Sequence, residues 1–116
     1  MISIAAIVLG FAALGGLTLA AIRLSGTPRP PTWLALGHGA VAATGLILLI
    51  LAVSNGGIDR LINIALGVIV LAALGGTTIF VGFHLRNRAL PIPLVIGHAV
   101  IAITGYVLLL VGMSHG

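Results

Sequence analysis

Four long apolar runs decide what this chain can become: Ile4–Ile22, Trp33–Val53, Leu61–Phe83 and Leu90–Met113. Each is close to the ~20 residues that an α-helix needs to cross ~30 Å of hydrocarbon. None of them contains an Asp, Glu, Lys or Arg. Of the 116 residues, 60% are hydrophobic and 5% are charged, against roughly 25% charged in a soluble domain. Five arginines and one aspartate cannot clothe a water-facing surface. The expected fold is all-α: an integral membrane four-helix bundle with the lipid bilayer as its solvent.

The same composition excludes several classes of function. The formal charge is +4, but the basic residues cluster at the ends of the apolar runs rather than along a solvated face. No nucleic-acid partner is expected. There is no cysteine, which removes disulfides, thiolate metal sites and thioether-attached haem. A Ser/His/Asp set, a phosphate loop and a carboxylate pair are all missing, so the chain is not expected to be an enzyme in its own right. The first run has no basic flank before it and is long for a signal peptide. It also has a counterpart later in the chain and is read as helix 1.

That counterpart belongs to an internal repeat. "AALGG" occurs at Ala12–Gly16 and again at Ala72–Gly76, an interval of 60. The same interval carries Gly37-His38 onto Gly97-His98, Thr44-Gly45 onto Thr104-Gly105, and Pro31 onto Pro91. Laid over each other without a gap, residues 1–56 and 61–116 share 21 identical pairs. The chain is expected to be two transmembrane hairpins, 1–58 and 59–116, in one bundle. Each hairpin crosses twice, so the repeats run parallel, related by a pseudo-twofold axis along the membrane normal.

The turns give an orientation. The turn after the first run holds Arg23 and Arg29, and the turn after the third holds Arg86 and Arg88. The middle loop carries Asp59 and Arg60. The positive-inside rule then places the two arginine-rich turns in the cytoplasm and both termini outside, in a bacterial inner membrane. Trp33 fits an interfacial anchor. Prolines near the starts of helices 2 and 4 fit positions where a missing N–H costs little.

Two histidines break the apolar pattern. His38 stands in "LGHGAVAATG" and His98 in "IGHAVIAITG". Each is about 9 Å along its helix, six residues in at 1.5 Å per residue. An ionisable residue at that depth is a functional hypothesis by default. Equivalent residues of parallel repeats lie at equal depth on opposite sides of the axis, so His38 and His98 are expected to face each other. Two imidazoles make a poor zinc site, which normally takes four ligands. A haem completes the count, because its porphyrin supplies four nitrogens and the protein needs to add two. This reading makes His38 and His98 the metal ligands of one haem b. Gly45 and Gly105 would admit the flat ring, and Arg23, Arg29, Arg86 and Arg88 would meet its propionates. His84, which aligns with Leu24 in the repeat, is expected at the interface on a helix end. His115 is expected in water. Thr44 and Thr104 are expected to bond to carbonyls of their own helices.

The intramembrane histidines His38 and His98, with Gly45, Gly105, Gly15, Gly16, Gly75 and Gly76, loosely resemble the membrane-bound b-type cytochromes of the cytochrome b561 type. Typical members carry more histidines and often two haems, and this chain departs from them there. It is also similar to uncharacterised small bacterial membrane proteins, a likeness that implies no activity.

Three functions compete. The first is electron transfer through the haem, to a redox partner protein or a quinone. The second is a structural or accessory subunit of a homo-oligomer or larger membrane complex, with the histidines as interhelical hydrogen-bond glue. The third is a small proton-coupled transporter, for which the missing intramembrane carboxylates argue poorly.

Overall fold

A computed structural model describes residues 1–56 and 59–115. It contains α1 (Ile2–Leu24), α2 (Thr32–Ser54), α3 (Arg60–Ile79) and α4 (Ile92–Ser114). At its C-terminus α3 continues into a π-helical turn, Phe80–His84. All four helices are long and apolar enough to cross a membrane. The chain is read as an integral membrane protein on that basis. The bundle measures 44 × 20 × 19 Å, and 23 residues of α-helix rise about 35 Å, enough for the hydrocarbon layer and its edges.

The helix boundaries follow from the turn residues. Pro31 and Pro91 stand immediately before α2 and α4, where a residue without an N–H leaves no hydrogen bond unmade. Leu90, expected as the first residue of helix 4, lies outside it. A residue before proline is pushed towards extended backbone, and the Leu90 N–H instead donates to the Pro28 carbonyl at 3.0 Å. Gly56 follows α2 with φ of +81°, a left-handed value that glycine adopts without strain.

Packing is closest within the hairpins α1/α2 and α3/α4, and thinner between α1 and α4 and between α2 and α3. Glycines make the close approaches. A Cβ on Gly45 would stand 2.8 Å from the Leu9 side chain and 3.2 Å from its backbone nitrogen. Gly105 and Gly112 meet Ile69 and Ile62 of α3 in the same way. Such small residues let membrane helices gain dispersion contacts that lipid cannot supply. The main core, with Ala5, Leu9, Leu49, Ala65, Ile69 and Leu109, fills the half of the bundle nearest the termini. A smaller cluster of Ile79, Leu90 and Val95 closes the opposite, arginine-bearing end. Large apolar side chains such as Phe11, Leu14, Ile47 and Val100 point outward, as a protein in hydrocarbon requires.

Candidate functional site

The histidines sit on the glycine pairs. His38 of α2 lies against Gly15 and Gly16 of α1, and a Cβ on Gly16 would come within 2.9 Å of the ring carbon Cε1. His98 of α4 lies in the same manner on Gly75 and Gly76 of α3, with Cε1 at 3.0 Å from a Cβ on Gly76. The repeated "AALGG" is thus the seat of an imidazole: without side chains, the backbone accepts the flat ring. His38 Nδ1–H donates to the Ala12 carbonyl at 2.8 Å. A carbonyl can only accept, so the proton is on Nδ1, and Nε2 of the neutral ring carries the lone pair. The equivalent nitrogen of His98, Nδ1, is buried and has no hydrogen-bond partner among the described residues. The two rings face each other edge to face, with centroids 6.4 Å apart and planes at 77°.

Both histidines line a cavity of about 540 Å³ to which all four helices contribute. Its walls near the rings are small and apolar, including Gly16, Ala42, Ala73 and Gly76. Gly39 and Ala43 of α2 and Ala73 and Thr77 of α3 are exposed lining residues, so the cavity opens on the α2–α3 side, where packing is thinnest. Gly45 and Gly105, expected to admit a flat ring, do not line it. They are used against Leu9 and against Val68 and Ile69, within the hairpins. In each case the neighbouring helix of the same hairpin occupies the space a flat ring would need.

His84 departs from its expected place at an interfacial helix end. It is 2% exposed and lines the same cavity. The π-turn brings it there: the Leu85 N–H reaches back five residues to the Phe80 carbonyl at 2.9 Å. Such turns are uncommon and are frequent at functional sites. The His84 ring stacks on Phe80 with centroids 5.1 Å apart. Its Nε2 is 3.0 Å from the Thr32 hydroxyl at the start of α2. A clue in the sequence was the local break in the repeat, where Phe80, Phe83 and His84 replace Ala20, Arg23 and Leu24. That clue marks a difference but not the burial.

The arginines divide. Arg23 Nε donates to the Leu90 carbonyl at 2.8 Å, and Arg29 Nη1 to the His84 carbonyl at 3.3 Å. These two tie the arginine-bearing turns to each other. Arg86 and Arg88 are exposed at the same end. His115 is exposed as expected. Thr44 and Thr104 bond to the carbonyls of Ala40 and Val100 in their own helices. Tyr106 hydroxyl donates to the Ala6 carbonyl at 2.8 Å, joining α4 to α1 over Gly10. Among the described residues, no group of three His, Asp or Glu side chains converges on one point as a metal site. No known protein family, no curated protein and no solved structure matches the chain.

Proposed function

We propose that the chain is a membrane b-type haem protein that transfers electrons, with His38 and His98 as the residues that would hold the iron of one haem b. The meeting of His38 and His98 at one cavity carries this reading. Their ring centres lie 6.4 Å apart, and two imidazoles are the donors that a haem iron, held by four porphyrin nitrogens, would still need.

The second support is the bond from His38 Nδ1–H to the Ala12 carbonyl. Ligating histidines almost always donate their other ring nitrogen in this way, which fixes the tautomer, orients the ring and raises its basicity. The third is the apolar cavity that touches both rings. The reading takes the hairpins as parallel repeats about a pseudo-twofold along the membrane normal, with the arginine-bearing turns cytoplasmic. A haem held there supplies a one-electron iron couple whose potential depends on ligand basicity and burial. The chain's own tasks are to orient two imidazoles on glycine seats and to keep water from the rings with apolar walls. A membrane redox protein or a quinone would exchange the electron.

The test is an absorption spectrum of detergent-purified protein from cells with ample haem, oxidised and dithionite-reduced. A sharp Soret band with reduced α and β bands is expected, and His38→Ala or His98→Ala should each abolish the low-spin bis-histidine form. If both variants keep the spectrum, the ligand assignment is wrong. A featureless visible region in a well-folded sample selects the accessory-subunit reading. The edge-to-face contact of the two rings favours that second reading, as packing between α2 and α4.

A further inference from the structure

His84 is a buried polar side chain with no part in holding a haem iron. We infer that His84, which lines the cavity, forms with the exposed Arg29 beside it a carboxylate-binding end, Thr32 holding the His84 ring in place. The inference deepens the haem reading and rests on it for one of two sources of the carboxylate.

His84 lines the cavity while its side chain is almost wholly buried. Burial of a polar ring is costly unless its polar atoms are satisfied. Thr32 engages Nε2, which leaves Nδ1 as the ring nitrogen available to a ligand. Phe80 stacks along one face of the ring and limits its rotation. Arg29 spends one of its five N–H donors on the His84 carbonyl. The remaining donors stand at the same end of the bundle.

The chemistry of this end is one-sided. In the tautomer that serves an anion, the Thr32 hydroxyl donates to Nε2, which leaves Nδ1–H to donate beside the Arg29 guanidinium, and Arg23, Arg86 and Arg88 add positive charge nearby. The chain's one acidic side chain, Asp59, belongs to the turn between α2 and α3 at the opposite end. An anion is the complement, and a planar anion with two acceptors suits an Arg–His pair. The rest of the cavity is apolar, so the ligand must be amphipathic. His38 and His98 lie six residues into α2 and α4. That places them about 9 Å below the helix starts beside which His84 sits. A molecule with its apolar body at the paired histidines and a short acidic arm spans that depth. Two ligands share this chemistry: a porphyrin carrying propionates, and a fatty acid entering from the bilayer on the open α2–α3 side.

Binding to the full-length protein in nanodiscs of uncharged lipid separates them. Ferric protoporphyrin IX is compared with its dimethyl ester, and oleate with methyl oleate, by absorbance and by quenching of the single tryptophan, Trp33. In the wild type the free acid of the porphyrin should bind about tenfold or more tightly than the ester, the range expected of one charge-assisted hydrogen bond. His84→Leu and Arg29→Gln should each bring that ratio towards one and leave the ester's affinity unchanged. A merely structural His84 would lower both affinities together. If neither porphyrin form binds but oleate binds better than its ester in a His84-dependent way, the haem reading fails and the carboxylate anchor stands, serving a lipid. No preference for the acid in either ligand pair in the wild type overturns the inference, and that arm does not depend on any variant folding.

Discussion

Replacing Gly16 or Gly76 by alanine tests the glycine seats directly. The added Cβ on Gly16 would stand 2.9 Å from His38 Cε1, and that on Gly76 3.0 Å from His98 Cε1. Ordinary contact begins at 3.4 Å, so the rings must retreat by about 0.5 and 0.4 Å. His38 has little freedom to do so. Its Nδ1 is anchored to Ala12 at 2.8 Å, and the His98 ring lies across from it. The alternatives are to lengthen that bond, leave the rotamer well, or separate α1 from α2. Overpacking of this kind costs about 1–3 kcal/mol. Against it stands the gain of about 1 kcal/mol when glycine in a helix becomes alanine. Gly37→Ala and Gly97→Ala make the same chemical change next to the same histidines, and a Cβ there meets nothing within 4 Å. Helix propensity is thus common to all four variants, and the collision is confined to two. Equilibrium unfolding in detergent, followed by circular dichroism, should find Gly16→Ala and Gly76→Ala less stable than Gly37→Ala and Gly97→Ala by about 1–3 kcal/mol. Four variants equal within about 0.5 kcal/mol, the usual scatter for unconstrained sites, would refute the seating of the histidines on the glycine pairs.

The contact between Gly10 and Tyr106 predicts a non-additive pair. A Cβ on Gly10 would lie 2.7 Å from the Tyr106 hydroxyl but 3.5 Å from the ring carbon that bears it. Tyr106→Phe should cost about 0.5–1.5 kcal/mol for the lost bond to Ala6, and it should make Gly10→Ala tolerable. A double-mutant cycle by the same unfolding assay is expected to show coupling of about 1 kcal/mol; strict additivity would contradict the contact. Asn87 follows the π-turn with φ of +58°. Asn87→Ala should therefore lower stability by about 1 kcal/mol while Asn87→Gly changes little, read from thermal midpoints; the reverse order would remove the left-handed turn.

Much of the architecture is written in the local sequence. An uninterrupted run of about 20 apolar residues has one stable form in hydrocarbon, because every backbone N–H and C=O must be satisfied within the segment. The proline and arginine positions then locate the ends, as Pro31 and Pro91 before α2 and α4 illustrate. The repeat, read from residues alone, also points to His38 and His98 as a pair, and the two rings do meet.

Which residues line the space around that pair was another matter. A helix that is apolar on all sides carries no amphipathic stripe to say which face turns inward. Gly45 and Gly16 look alike in the sequence, yet one receives Leu9 and the other an imidazole. Only the packing of neighbouring helices separates them. His84 shows the same limit more sharply. Its neighbours Arg86 and Arg88 suggest a wet helix end, and a π-turn with stacking on Phe80 buries it instead. Arg23 and Arg29 sit where charge at the membrane edge belongs, but their partners are carbonyls of the opposite turn, at Leu90 and His84. By itself, then, the sequence determined the number of helices and singled out two histidines, because these depend on hydrophobic length and on residue type. The tertiary structure decided the glycine seats, the cavity and the place of His84, because these depend on contacts such as His38 with Ala12 and His84 with Thr32, 26 and 52 positions apart in the chain, which no local pattern encodes.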